Sequence, residues 1–211
     1  MPKPSNNTLF ERKYQQTPLS VISDDLRGAC IPHEYFRSLV RGSIGSSSVS
    51  DLKASALQDE IAAKLTWFHN QETYSSMWFN NRNQFIAAAT EILICGIGSV
   101  AYMTPASIAL AQIRNTLRGA PSAVSFVEEV DYLFIDDMVT DHTRKLFEAE
   151  PTSAAHFHEF LRLVKYSLHN RIVFSFSGVP QHLLQDKLSL TYTDSLVDLI
   201  NGGLGYVGGK Q

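Results

Sequence analysis

The chain is organised around short, unbroken apolar runs that each stop at small or acidic residues. Ile92-Leu93-Ile94-Cys95 stops at Gly96-Ile97-Gly98, Tyr132-Leu133-Phe134-Ile135 stops at Asp136-Asp137, and Ile172-Val173-Phe174 runs into Ser175-Phe176-Ser177. Runs this short and without alternation are how strands covered on both faces look in a sequence. The stretches between them carry helical spacing. Thr104-Pro105 opens one helix, with threonine as cap and proline at the first helical position, and Gly119 stops it. Ile108, Ala111, Ile113 and Leu117 supply its apolar side. A second helix starts at Pro151 and puts Phe157, Phe160, Leu161, Val164 and Leu168 on one face, with Glu159, Arg162 and Lys165 on the other. A further strand is expected at 123–127 and a last helix at 193–201, while 73–84 reads as an aromatic, amide-rich connection. Strands alternating with helices predict an α/β fold, a parallel sheet with helices on both faces.

Length and composition bound this reading. A chain of 211 residues suggests one domain with appendages, and 44% apolar against 18% charged residues is enough to build a core. No apolar run is long enough to cross a bilayer and the first residues lack the apolar stretch of a signal peptide, so a cytoplasmic protein is expected. A net charge of −3 argues against a protein that coats nucleic acid. Cys30 and Cys95 form no metal motif, and His156 and His158 lie on different faces of their helix. Residues 1–50 read as an arm and linker, with a polar segment at 1–26 and a Gly/Ser-rich one at 42–50. The α/β domain is expected over 51–211, opening with a helix that carries Leu57, Ile61, Leu65 and Phe68 on one face.

Ligands of parallel sheets sit at the carboxyl ends of the strands. The three strand ends, taken in order, match what a nucleoside triphosphate needs. Gly96 and Gly98 would let backbone amides approach phosphates at the mouth of a helix, with Thr104 as the hydroxyl closing the loop. Asp136 would hold Mg²⁺, Asp137 would polarise the attacking water, and Ser175 or Ser177 would sense the terminal phosphate. Without metal, the two adjacent carboxylates are expected to repel each other, so that Asp136→Asn should not lower stability.

The run Tyr132-Leu-Phe-Ile-Asp-Asp-Met138 resembles the Walker B strand of bacterial replicative helicase loaders of the DnaC and DnaI type, and of the related IstB transposition ATPases. The stretch 160–199 is similar to their next block, and Gly28-Ala-Cys-Ile-Pro resembles the segment that precedes their ATPase core. The resemblance implies a P-loop NTPase-like (AAA+) domain that binds ATP or ADP with Mg²⁺. It implies a partner as well: a replicative helicase, gripped through residues 1–26 and placed on single-stranded DNA. A homo-oligomer is compatible with it. Two departures bear on catalysis. A working loop reads G-x-x-x-x-G-K-[ST], yet the lysine position holds Tyr102 or Met103, and no lysine occurs between Lys64 and Lys145. Ser195 stands where the family places an arginine. Weak or absent ATP hydrolysis is therefore expected. A transposition-type DNA adaptor and a non-catalytic interaction protein on the same fold are the alternative readings.

Overall fold

The computed structural model describes residues 64–65, 67–68, 76–95, 98–119, 123–128, 130–168 and 171–202. The arm at 1–26, the segment at 42–50, the start of the first expected helix, Gly96 and Cys30 lie outside the described residues.

Four parallel strands form one sheet: β1 (Ser76–Phe79), β2 (Val100–Met103), β3 (Tyr132–Ile135) and β4 (Arg171–Ser175), in the order β1-β4-β3-β2. Helix α1 (Arg82–Cys95) joins β1 to β2, and α2 (Pro105–Arg118) with the short α3 (Ala123–Val127) joins β2 to β3. Helices α4 (Asp141–Ala149) and α5 (Pro151–Leu163) join β3 to β4, and α6 (Leu184–Thr191) and α7 (Asp194–Asn201) follow β4. The step from β1 to β2 crosses the sheet one way and the next two steps return. Right-handed crossovers therefore place α1 on one face and α2 to α5 on the other.

The buried residues follow that division. Ala101, Leu133, Ile135, Ile172 and Phe174 share a core with Ile108 of α2, Val127 of α3 and Phe157 and Phe160 of α5. On the opposite face the Phe85 ring of α1 sits 6.0 Å from Tyr102 and 5.1 Å from Phe134, and Phe68 sits 6.4 Å from Tyr132. Each fully buried ring of this kind contributes about 1.5–3 kcal/mol of transfer free energy. Phe147, Phe157 and Tyr192 pack with tilted rings into a second aromatic cluster, and the Tyr192 hydroxyl donates to the Met138 carbonyl. That contact ties the junction of α6 and α7 to the turn after β3.

The expected α/β architecture is present, with helices on both faces of a parallel sheet. Thr104 caps α2 and Gly119 ends it in the left-handed conformation (φ 62°), as the sequence indicates. Four local expectations are corrected. Residues 92–95 are the last turn of α1, because Phe85, Ala88, Ala89 and Ile92 recur at helical spacing and all face the core. A short apolar run fits either element, and the alanine-rich stretch upstream decides for helix. Residues 123–127 form α3, with Ala123 and Val127 buried one turn apart. Residues 76–79, expected to be a connection, are β1. Lys165, expected on a solvated face, is half-buried and donates to the Leu199 carbonyl at 2.8 Å.

Candidate functional site

The crevice of an open parallel sheet lies where neighbouring strands send their connections to opposite faces. In this sheet that point is the β1–β4 boundary. The chain leaves β1 into α1 on one side, and leaves β4 toward α6 and α7, which join the core of the other side. The strand–loop–helix unit available to cradle phosphates is therefore β1–α1, rather than any unit around Gly98.

Only Asn80 and Asn81 separate β1 from α1. The Asn81 side chain accepts from the Asn83 amide at 2.9 Å and from the Gln84 amide at 3.4 Å. The first amides of α1, which in a phosphate-binding turn point at the ligand, are thus capped from within the chain. The segment past β4 is stitched to the same turn. The Phe176 amide donates to the Phe79 carbonyl at 2.8 Å, and the Gly178 amide to the Asn80 carbonyl at 2.9 Å. Gly178 adopts φ 73°, a backbone region that favours glycine.

Asp136 continues β3 by donating its amide to the Met103 carbonyl at 2.9 Å, and its side chain is completely buried. Its Oδ2 accepts from Arg82 Nε at 2.7 Å and from the Tyr102 hydroxyl, and its Oδ1 accepts from the Asp137 amide at 2.8 Å. Burial, and next the carboxylate beside it, hold the Tyr102 hydroxyl far above the ordinary tyrosine range, so it stays a proton donor. An isolated carboxylate in this position would be costly; here one guanidinium, one phenol and one amide compensate it. The expected repulsion between Asp136 and Asp137 is corrected accordingly, since Asp136 is paired with a cation and three donors meet its oxygens.

Asp137 turns away. Its backbone adopts φ 57°, a left-handed conformation that aspartate tolerates better than most residues, and its carbonyl accepts from Thr143 Oγ1 at 2.7 Å. Thr140 caps α4 just beyond, so the chain after Asp137 is committed to starting that helix. The strand register sets Ser175 beside Asp136 and opposite Phe79. Ser175 is fully buried, and its hydroxyl has no hydrogen-bond partner. Ser177 is exposed in the turn that follows.

The structure brings Asp136, Asp137, Thr104 and Ser177 to the carboxyl ends of the strands and leaves Gly98 at the other end. Gly98 leads into β2. A side chain there would meet Asp131 Oδ2 and the Tyr132 ring at 2.9 Å, and both belong to the amino end of β3. The residue serves close packing, next to Ser99, whose amide and hydroxyl both donate to Asp131 Oδ2. Thr104 is occupied as well: its hydroxyl accepts from the Ser107 amide at 3.1 Å, and the Ser107 hydroxyl takes the Thr104 amide at 2.9 Å. Among the described residues no group of three or more His, Cys, Asp or Glu side chains is placed to hold a metal. The donors at the carboxyl ends do not fit ATP with Mg²⁺: the turn is two residues long, its helix amides are capped, and Arg82 occupies the Asp136 carboxylate. Sequence reasoning missed Arg82 and the strand before it. The available signal was Met77-Trp78-Phe79 followed by Asn-Asn and an alanine-rich helix, a strand–turn–helix pattern hidden by its brevity.

Comparison with known proteins finds no family model, no curated protein and no solved structure that matches this chain.

Proposed function

We propose that the chain is a non-hydrolysing adaptor on a P-loop-like α/β fold, serving a DNA transaction of the helicase-loading kind. It binds a replicative helicase and delivers it to single-stranded DNA, and protein contact does what nucleotide turnover does in ATP-driven loaders. The observation that carries the non-hydrolysing half is the Arg82–Asp136 pair, a cation built into the chain where a magnesium-binding carboxylate would need its own oxygens free. The helicase-loading half is supported by the resemblance of residues 132–138 and 160–199 to helicase loaders. No described helix is long and apolar enough to cross a membrane.

The test uses the full chain. Labelled ATP with Mg²⁺ at millimolar concentration is expected to give no saturable binding and no phosphate release, while the purified replicative helicase of the same source forms a complex without nucleotide. Removing residues 1–26 should dissolve that complex. Robust turnover abolished by Asp137→Asn would overturn the non-hydrolysing reading, and failure to bind the helicase would overturn the loading role.

A further inference from the structure

The outer face of α2 carries Ala106, Leu110, Ile113 and Leu117 at spacings of four, three and four residues, the seam of one helix made to pair with another. The inner face is already used: Ile108 and Ala109 are buried against the core. On the outer face Leu110 is 48% exposed and Leu117 is 76% exposed, with Ala106 and Ile113 half-buried between and beside them. A lone exposed leucine requires no explanation, but a continuous stripe running about 16 Å along a helix matches the footprint of one partner helix.

Charge identifies the occupant. The sequence of α2 contains Arg114 and Arg118 and no acidic residue. Among the arginines whose side chains are described, Arg82 holds Asp136, Arg144 holds Glu148 and Asp141, Arg162 holds Glu159, and Arg171 lies over the Tyr132 ring. Arg114 alone among them has no ion pair or hydrogen bond, and it stands exposed beside the seam. A second copy of this chain is the wrong occupant. Pairing α2 with itself would bring arginines and no carboxylate to the seam, and a seam this short buries much less than the roughly 800 Å² per partner of a stable dimer. We infer that this face docks an amphipathic helix of another protein, one with leucine-type residues on its seam and carboxylates along its flank.

The probe is a fluorescein-labelled peptide of about three heptads with leucine at the seam positions and glutamate at the flanking ones. A second peptide carries lysine in place of each glutamate. The full chain, titrated against both, is expected to bind the acidic peptide saturably and the basic one at least about tenfold more weakly. Leu117→Glu should weaken the acidic peptide by about tenfold or more with an unchanged melting temperature, because the residue is exposed. Arg114→Glu should reverse the preference between the peptides. No saturable binding, equal binding of both peptides, or indifference to Leu117→Glu would each overturn the inference. So would concentration-dependent dimerisation of the chain that Leu117→Glu abolishes, which would assign the face to a second copy.

Discussion

Arg82 and Asp136, 54 residues apart in the chain, meet through a 2.7 Å contact between Nε and Oδ2 that joins the start of α1 to the end of β3. The carboxylate has no exposure to solvent, whereas the guanidinium side chain keeps 36% of its own. The pair is therefore asymmetric: arginine can reach water if the contact opens, and aspartate cannot.

That asymmetry sets the first prediction. Arg82→Ala leaves a buried carboxylate without its cation, and breaking a buried pair costs about 3–5 kcal/mol, with the lower end expected because arginine is partly solvated. For a chain of this size such a loss lowers Tm by roughly 6–12 °C. Asp136→Asn alone should also destabilise, by less. The double variant Arg82→Ala/Asp136→Asn should recover most of the loss in a double-mutant cycle read by urea unfolding. Additive losses would show that the two side chains do not depend on each other.

Three buried tyrosines make the fold sensitive to alkali. Burial pushes the Tyr132 hydroxyl up to about 12, with Arg171 opposing and Asp131 adding to the shift, and holds Tyr102 and Tyr192 well above 10. Each folded-state value exceeds its unfolded value, so the stabilisation is complete below pH 10 and declines as pH rises through the folded values. Each tyrosine contributes up to about 1.4 kcal/mol per pH unit to that decline. Urea midpoints between pH 9 and 11.5 should fall steeply, with the tyrosinate absorbance of these three residues appearing together with unfolding. Ionisation of all eight tyrosines ahead of any loss of structure would contradict the buried placement.

Gly98→Ala separates a packing role from a phosphate-binding one. The added methyl group would lie 2.9 Å from both Asp131 Oδ2 and the Tyr132 ring, so overpacking of about 1–3 kcal/mol is expected. Thermal unfolding should register that loss, whether or not ATP and Mg²⁺ are added. A variant that folds as well as the parent but responds differently to nucleotide would return Gly98 to the ligand site.

Ser175→Ala tests the unpartnered hydroxyl beside Asp136. Removing a buried polar atom that makes no hydrogen bond relieves about 1 kcal/mol or more of desolvation cost, so Tm should rise. A fall instead would mean that the hydroxyl is engaged by something bound in solution.

How much of this was legible follows from what each residue's neighbours in sequence could say. Helix α2 announces itself through Thr104, Pro105 and Gly119, because caps are local chemistry. The strand at 132–135 is legible for a similar reason, an apolar run closed by two acids. The run at 92–95 has no such punctuation, and an apolar run this short at the end of a helix reads in sequence like a strand. Misplacing it moved the sheet's opening by one strand, and with it the whole site. The partner of Asp136 was beyond reach. Nothing near Arg82 in the sequence points to a carboxylate that only the order β1-β4-β3-β2 brings close.

The two faces of the sheet are unequally roofed. One carries α2 to α5, with α6 and α7 behind them; the other carries α1 and the helical residues at 64–65 and 67–68. Leu65 and Phe68 are nearly inaccessible to solvent, and Phe68 closes over the Tyr132 ring. The boundary of the folding unit therefore lies upstream of Leu65, whatever the polar sequence between there and β1 suggests. A fragment begun at β1 would keep β1 to β4 and still present a bare aromatic patch, so it would be expected to self-associate more readily than the longer chain.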